Sequence, residues 1–155
     1  LNIIMTHAGL APTWSSRTAQ TIAQELSHVL ITDDLFFEWM NHYFIPRPCA
    51  WNDNLQELPR WQVAADYFTR MRFTTIHGDL NFESHAGLNA TPNQAYPWFA
   101  CPKRQIWSET IVFGHWASLL GKTGFTKFQN IDTGCHWGGV LTALNLHNFQ
   151  RLSTF

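Results

Sequence analysis

Two of the eight histidines stand in the same local context. His7 follows the apolar run Leu1-Asn2-Ile3-Ile4-Met5, and His115 follows Thr110-Ile111-Val112-Phe113. Short, β-branched apolar runs predict buried strands, so each histidine falls where a strand gives way to a loop. Side chains at the strand ends of an α/β sheet project into a crevice between loops, where ligands bind. Two neutral imidazoles converging there suit a borderline divalent cation such as Mn, Zn, Fe or Co. The alternative is a pair of unrelated, hydrogen-bonded histidines at strand termini, and spacing alone leaves both readings open.

The elements that must carry these histidines are legible in outline. Ser15 or Ser16 can cap a helix whose apolar face is Ala19, Ile22, Ala23, Leu26 and Leu30. Thr32-Asp33-Asp34 reads as a fresh cap, with Leu35, Phe36, Trp39, Met40 and Tyr43 on the following helical face. Pro46-Arg47-Pro48 breaks that helix, and Pro59 suits the first turn of a third helix through Trp61, Ala64, Ala65 and Phe68. Beyond Arg72, residues 73–76 and 80–82 read as a hairpin around His77-Gly78-Asp79, and residues 84–97 as a loop. Thr110–Phe113 is a second strand and residues 128–132 a third, with residues 140–146 as its expected hairpin partner. Strand, helices, then strands is the order of a layered α/β sandwich.

Composition narrows the function. With 155 residues, 45% hydrophobic and 14% charged, the chain has ample material for a core. Eight Trp and twelve Phe exceed ordinary core needs, so some rings are expected to line a pocket. A net charge of -1 argues against a nucleic-acid partner, yet leaves room for a polyanionic small ligand whose charge is met by metal ions. Cys49, Cys101 and Cys135 are odd in number and form no CxxC pair, which suits reduced thiols in a cytoplasmic protein. No apolar run approaches the ~18 residues of a membrane span, and no secretory signal pattern is visible. The composition says nothing of oligomeric state.

Five segments carry a family resemblance. Met5-Thr6-His7-Ala8-Gly9-Leu10-Ala11-Pro12-Thr13-Trp14 resembles the HAG segment of the metallophosphoesterase superfamily, and Phe113-Gly114-His115-Trp116-Ala117-Ser118-Leu119 its GH segment. Residues 131–142, with Asp132-Thr133-Gly134 and Gly138-Gly139, resemble its closing hairpin. Phe68-Thr69-Arg70-Met71-Arg72-Phe73 and Pro97-Trp98-Phe99-Ala100 narrow the likeness to the symmetrical diadenosine tetraphosphate hydrolases, in the right order along nearly the whole chain.

That resemblance implies a layered α/β sandwich of the metallophosphoesterase type. It implies a hydrolase that cuts P1,P4-bis(5'-adenosyl) tetraphosphate between its central phosphates to two ADP, through a metal-bridging hydroxide. His7 and His115 match the histidines that ligate one of two divalent metal ions, with Mn or Co favoured and Fe, Zn or Mg possible. The phosphate-gripping arginine falls at Arg70 or Arg72, with Arg70 taken first; a guanidinium suits the task because its fork meets two phosphate oxygens, and the alternative for either is an ion pair at a helix end. Trp116 and Trp137 flank the site segments and can stack on an adenine or pack behind the ligands. Asp132 either orients a ligand histidine or caps its turn. The partner is a small-molecule dinucleoside polyphosphate, with no nucleic acid and no membrane.

The departures are equally specific. The GD.HG, GD…RG and GNH[DE] segments, which in the family supply the remaining ligands, a second arginine and the general acid, have no counterpart in residues 1–155. The chain therefore reads as the C-terminal part of a single metallophosphoesterase domain, with the general acid expected upstream and no catalytic residue of its own. On this reading Leu1–Met5 is a strand with neighbours missing and an exposed edge. A phosphoprotein phosphatase-like enzyme is the competing activity, and a truncated non-catalytic module with the same half-fold the competing class.

Overall fold

In the computed structural model, residues 1–43, 46–85 and 87–154 are described. The fold is mixed α/β: a parallel sheet, three helices and two smaller antiparallel sheets. The central sheet has the order β1-β5-β6, with β1 at Ile3–Met5, β5 at Thr110–Phe113 and β6 at Phe128–Asn130. Both pairings are parallel, with Met5 opposite Val112 and Phe113 opposite Asn130. Their carboxyl ends therefore lie side by side, which brings residues 7, 115 and 132 to one edge.

The helices follow the sequence closely. In α1, Ser16–Ile31, the Ser15 hydroxyl accepts from the Thr18 amide at 3.0 Å, and Ala19, Ile22, Leu26 and Val29 are buried. Val29 takes the inward position expected for Leu30, which is exposed. The acidic first turn opens α2, Asp33–Asn41, none of whose residues is fully buried. The third helix, α3, spans Glu57–Thr69 with Pro59 in its first turn, and it buries Val63, Ala64, Ala65 and Tyr67.

The expected hairpin is present as β2, Phe73–Thr74, against β3, Leu80–Asn81. A further short strand, β4 at Tyr96–Pro97, lies on the other side of β2 and comes from the segment read as loop, of which residue 86 is outside the described residues. One pairing differs outright. Residues 140–146 are not the hairpin partner of 128–132: among the described residues β6 pairs with β5 alone, in parallel. Instead β7, Leu141–Leu144, pairs antiparallel with β8, Arg151–Thr154, across a turn held by the Asn145 amide and carbonyl. This ribbon is tied back by side chains: Arg151 donates to the Asn130 carbonyl (2.8 Å) and to Gln129 Oε1 (2.9 Å), and the Thr142 hydroxyl meets that of Thr133 (2.7 Å).

The aromatic excess is mostly core. Trp98 meets Phe113 and Phe128 edge-on with ring centroids 5.1 and 5.4 Å apart, and Trp14 packs on Tyr67, Phe68 and Trp51. Such edge-to-face pairs contribute about 0.5–1.5 kcal/mol each beyond the area they bury. By contrast β1 is open. Among the described residues no strand pairs its outer edge, Leu1 and Met5 are 79% and 65% exposed, and a groove of about 740 Å³ runs between it and α1.

Candidate metal and phosphate site

The two singled-out histidines meet. His7 Nε2 lies 3.3 Å from His115 Nδ1, with ring centroids 5.0 Å apart. Each emerges from the carboxyl end of its strand, and the Gly114 amide donates to the His7 carbonyl at 2.9 Å, which locks the two strand ends together. Gly9 lets this loop close. A Cβ there would sit 2.6 Å from Trp98 Cε2 and 2.7 Å from Met71 Cε, so the chain packs against the core only where no side chain intervenes.

The geometry assigns the His115 tautomer. Its Nε2 lies 3.2 Å from the Arg70 carbonyl oxygen, which can only accept, so Nε2 carries the hydrogen and Nδ1 presents a bare lone pair toward His7. Burial, then the charge of Arg72, then His7 hold the His115 pKa down at about 4, so the ring is neutral at physiological pH. Such an imidazole, anchored by one nitrogen and with the lone pair of the other turned toward a second imidazole, has the form of a metal-ligating histidine. Two nitrogens on one ion, each ~2.0–2.1 Å away at ~90–110°, stand ~2.9–3.4 Å apart; the observed 3.3 Å fits. Among the described residues no group of three or more His, Cys, Asp or Glu comes together to hold a metal ion, so these two imidazoles would be a partial ligand set.

The two candidate arginines separate. Arg70 caps the end of α3 and turns back along it, where its guanidinium donates to Asp66 Oδ1 at 2.9 Å and lies over the Phe82 ring. Asp66, almost wholly buried, also receives a two-pronged contact from Arg47 at 2.7 and 3.0 Å. The side chain of Arg70 is thus engaged in a structural ion network, and its carbonyl serves His115. Arg72 lies two residues further on and turns to the other side. It donates to the His115 carbonyl at 3.2 Å and lines a pocket of about 510 Å³ with His115, Asp132, Ser118, Trp137 and His85. Burial lowers the Arg72 pKa and Asp132 offsets part of that, so the group remains a cation facing the pocket.

The two tryptophans separate as well. Trp116 is 1% exposed and packs edge-on against Phe73 at 4.7 Å and beside Phe99. It is a core residue behind His115 and is not available to stack on a base. Trp137 is 78% exposed and borders the pocket. Asp132 takes the capping role, since its Oδ1 accepts from the Gly134 amide at 3.1 Å. Sequence reasoning takes His85 as surface or structural, because it matches no site motif, and gives no role to Asn130, which reads as an ordinary strand residue.

Fold and site together define a class: an α/β protein that presents two converging imidazoles and a half-buried arginine at the carboxyl edge of a parallel sheet. Comparison with known proteins narrows it. The chain is 44% identical over 153 residues to the symmetrical bis(5'-nucleosyl)-tetraphosphatase of Legionella pneumophila, a match covering 99% of the chain and 55% of that protein. It is 44% identical over 156 residues to the protein of that name from Marinomonas sp., covering 99% and 56%. With that of Pseudomonas fluorescens the identity is 40% over 152 residues, covering 98% and 53%. The chain thus spans about half the length of the curated relatives it matches, and the resemblance read from its sequence is borne out at that level. No family model matches. No helix among the described residues is long and apolar enough to cross a membrane.

Proposed function

We propose that this chain forms part of a metal-dependent hydrolase that splits dinucleoside tetraphosphates symmetrically, with diadenosine tetraphosphate cut to two ADP. The observation that carries the reading is the 3.3 Å approach of His7 Nε2 to His115 Nδ1 with the tautomer of His115 set by Arg70. His7 and His115 would hold one divalent ion, Mn or Co by preference. A pair of such ions would supply Lewis acidity and hydroxide at neutral pH.

The chain's own residues do the rest of what can be assigned to it. Arg72 faces the pocket as a cation beside the imidazoles and would orient a phosphate through its paired N–H groups. Trp137 offers an open ring face at the rim of the same pocket, within reach of a nucleobase. An exposed aromatic ring there favours a nucleotide over a phosphopeptide. Two imidazoles cannot hold two ions, so residues 1–155 alone should release no ADP. The remaining ligands and the general acid would come from the part of the relatives' length that this chain does not span.

The test is an ADP-release assay with Mn or Co, on this chain and on a chain of the relatives' full length that includes it. ADP from the longer chain only, and loss of most of it in His115→Ala, supports the reading. Hydrolysis of a phosphopeptide but not the dinucleotide would favour the phosphatase alternative.

A further inference from the structure

His115 sits in an unusual piece of backbone. Its φ is +61°, a left-handed value that is strained for a non-glycine residue and persists only where the surroundings over-determine it. The Trp116 amide donates to the Gly114 carbonyl at 2.7 Å, so Gly114-His115-Trp116 form a tight three-residue turn with His115 at its apex. Side chains brace this turn on two sides. Arg72 donates to the His115 carbonyl, and the Asn130 amide nitrogen donates to the Gly114 carbonyl at 3.3 Å.

Asn130 is itself unusual. It ends β6 opposite Phe113 and is completely buried, and among the described residues its Oδ1 has no hydrogen-bond partner. An amide with one half unsatisfied is expensive in a core, and an apolar residue of similar size would avoid that cost. What the amide does accomplish is its contact with Gly114. We infer that Asn130 is a positioning residue for His115, holding the Gly114 carbonyl so that the strained turn aims Nδ1 at His7. The inference rests on the proposed ligand role of His115 for its meaning, although the positioning itself can be read separately.

The isosteric variant Asn130→Asp removes the donor and sets a carboxylate against the Gly114 carbonyl. In nitrogen-15 NMR of the full chain, wild-type His115 should show the single Nε2–H tautomer, and N130D a mixture of tautomers. A fully preserved tautomer in folded N130D would overturn the inference. Titration with cobalt ion, followed by its visible absorption, should show a loss of affinity of about 10-fold or more in N130D, as for other groups that orient a ligand. If His115→Ala loses cobalt affinity while N130D keeps it, the Asn130 assignment fails and the ligand reading stands. If His115→Ala binds cobalt like wild type, the ligand reading fails, and the tautomer result alone decides the positioning. Should N130D not fold, the wild-type chain decides: slow exchange of the Asn130 side-chain amide protons supports the inference, and free exchange rejects it.

Discussion

The ring of His115 is anchored to the backbone of Arg70, 45 residues earlier, by a 3.2 Å hydrogen bond from Nε2 to the carbonyl oxygen. Arg70 is in turn held by Asp66, one helical turn back, which also holds Arg47. The position of the candidate ligand is therefore linked, through the backbone of Arg70, to an ion network among side chains.

Removing the centre of that network should be costly. Asp66→Ala leaves two guanidiniums without their shared carboxylate, one of them largely buried. Breaking such a buried pair costs about 3–5 kcal/mol. Urea unfolding should report that loss, and a change under about 1 kcal/mol would contradict it.

Gly9→Ala should be destabilising even though alanine is small. Its Cβ would stand 2.6 Å from Trp98 Cε2 and 2.7 Å from Met71 Cε, so the neighbours must shift, and the Trp98 ring has less freedom to do so than the end of Met71. Overpacking of this kind costs about 1–3 kcal/mol, and because Gly9 follows His7 closely, cobalt affinity should fall as well. A variant as stable as wild type would show that the loop relaxes freely.

The stability of the chain should fall on mild acidification, in part through His115. Its folded pKa of about 4 lies below the ordinary histidine value of 6.5, so the unfolded chain binds the proton more readily. The stabilisation it contributes is complete above about pH 6.5 and is lost as pH falls toward about 4. Melting temperatures at about pH 7 and about pH 5 should therefore differ more for wild type than for His115→Gln. Equal differences would argue against a neutral, partly buried His115.

The two tryptophans should respond oppositely to truncation. Trp137→Ala, at an exposed site, should leave stability within about 0.5 kcal/mol. In a chain of the relatives' full length it should weaken dinucleotide binding by about 1–3 kcal/mol, roughly 5–150-fold in KM. Trp116→Ala should instead destabilise by about 3–5 kcal/mol as a core deletion. Thermal melts and KM measured on both variants separate the roles, and unchanged KM in Trp137→Ala would remove it from the site.

Local pattern alone determined much of this protein. Short apolar runs located β1, β5 and β6, the three-and-four spacing located α1 and α3, and their order announced a layered α/β fold. Because strand ends in a parallel sheet share one edge, the matching contexts of His7 and His115 already implied a meeting point. Tertiary structure decided what depends on direction and partners. Arg70 and Arg72 are two residues apart in one motif, yet the end of α3 falls between them, turning one toward Asp66 and the other toward the pocket. Trp116 and Trp137 both flank site segments, but the tight turn at His115 sends the first into the core while the second rides on a surface turn between glycines in the left-handed region. The partner of β7 was likewise undecidable locally, since an alternating strand can pair with any free edge: the outer edge of β6 is unpaired among the described residues, yet β7 joins β8. The role of Asn130 was invisible for the same reason: a single amide acquires meaning only from the carbonyl it faces across the sheet.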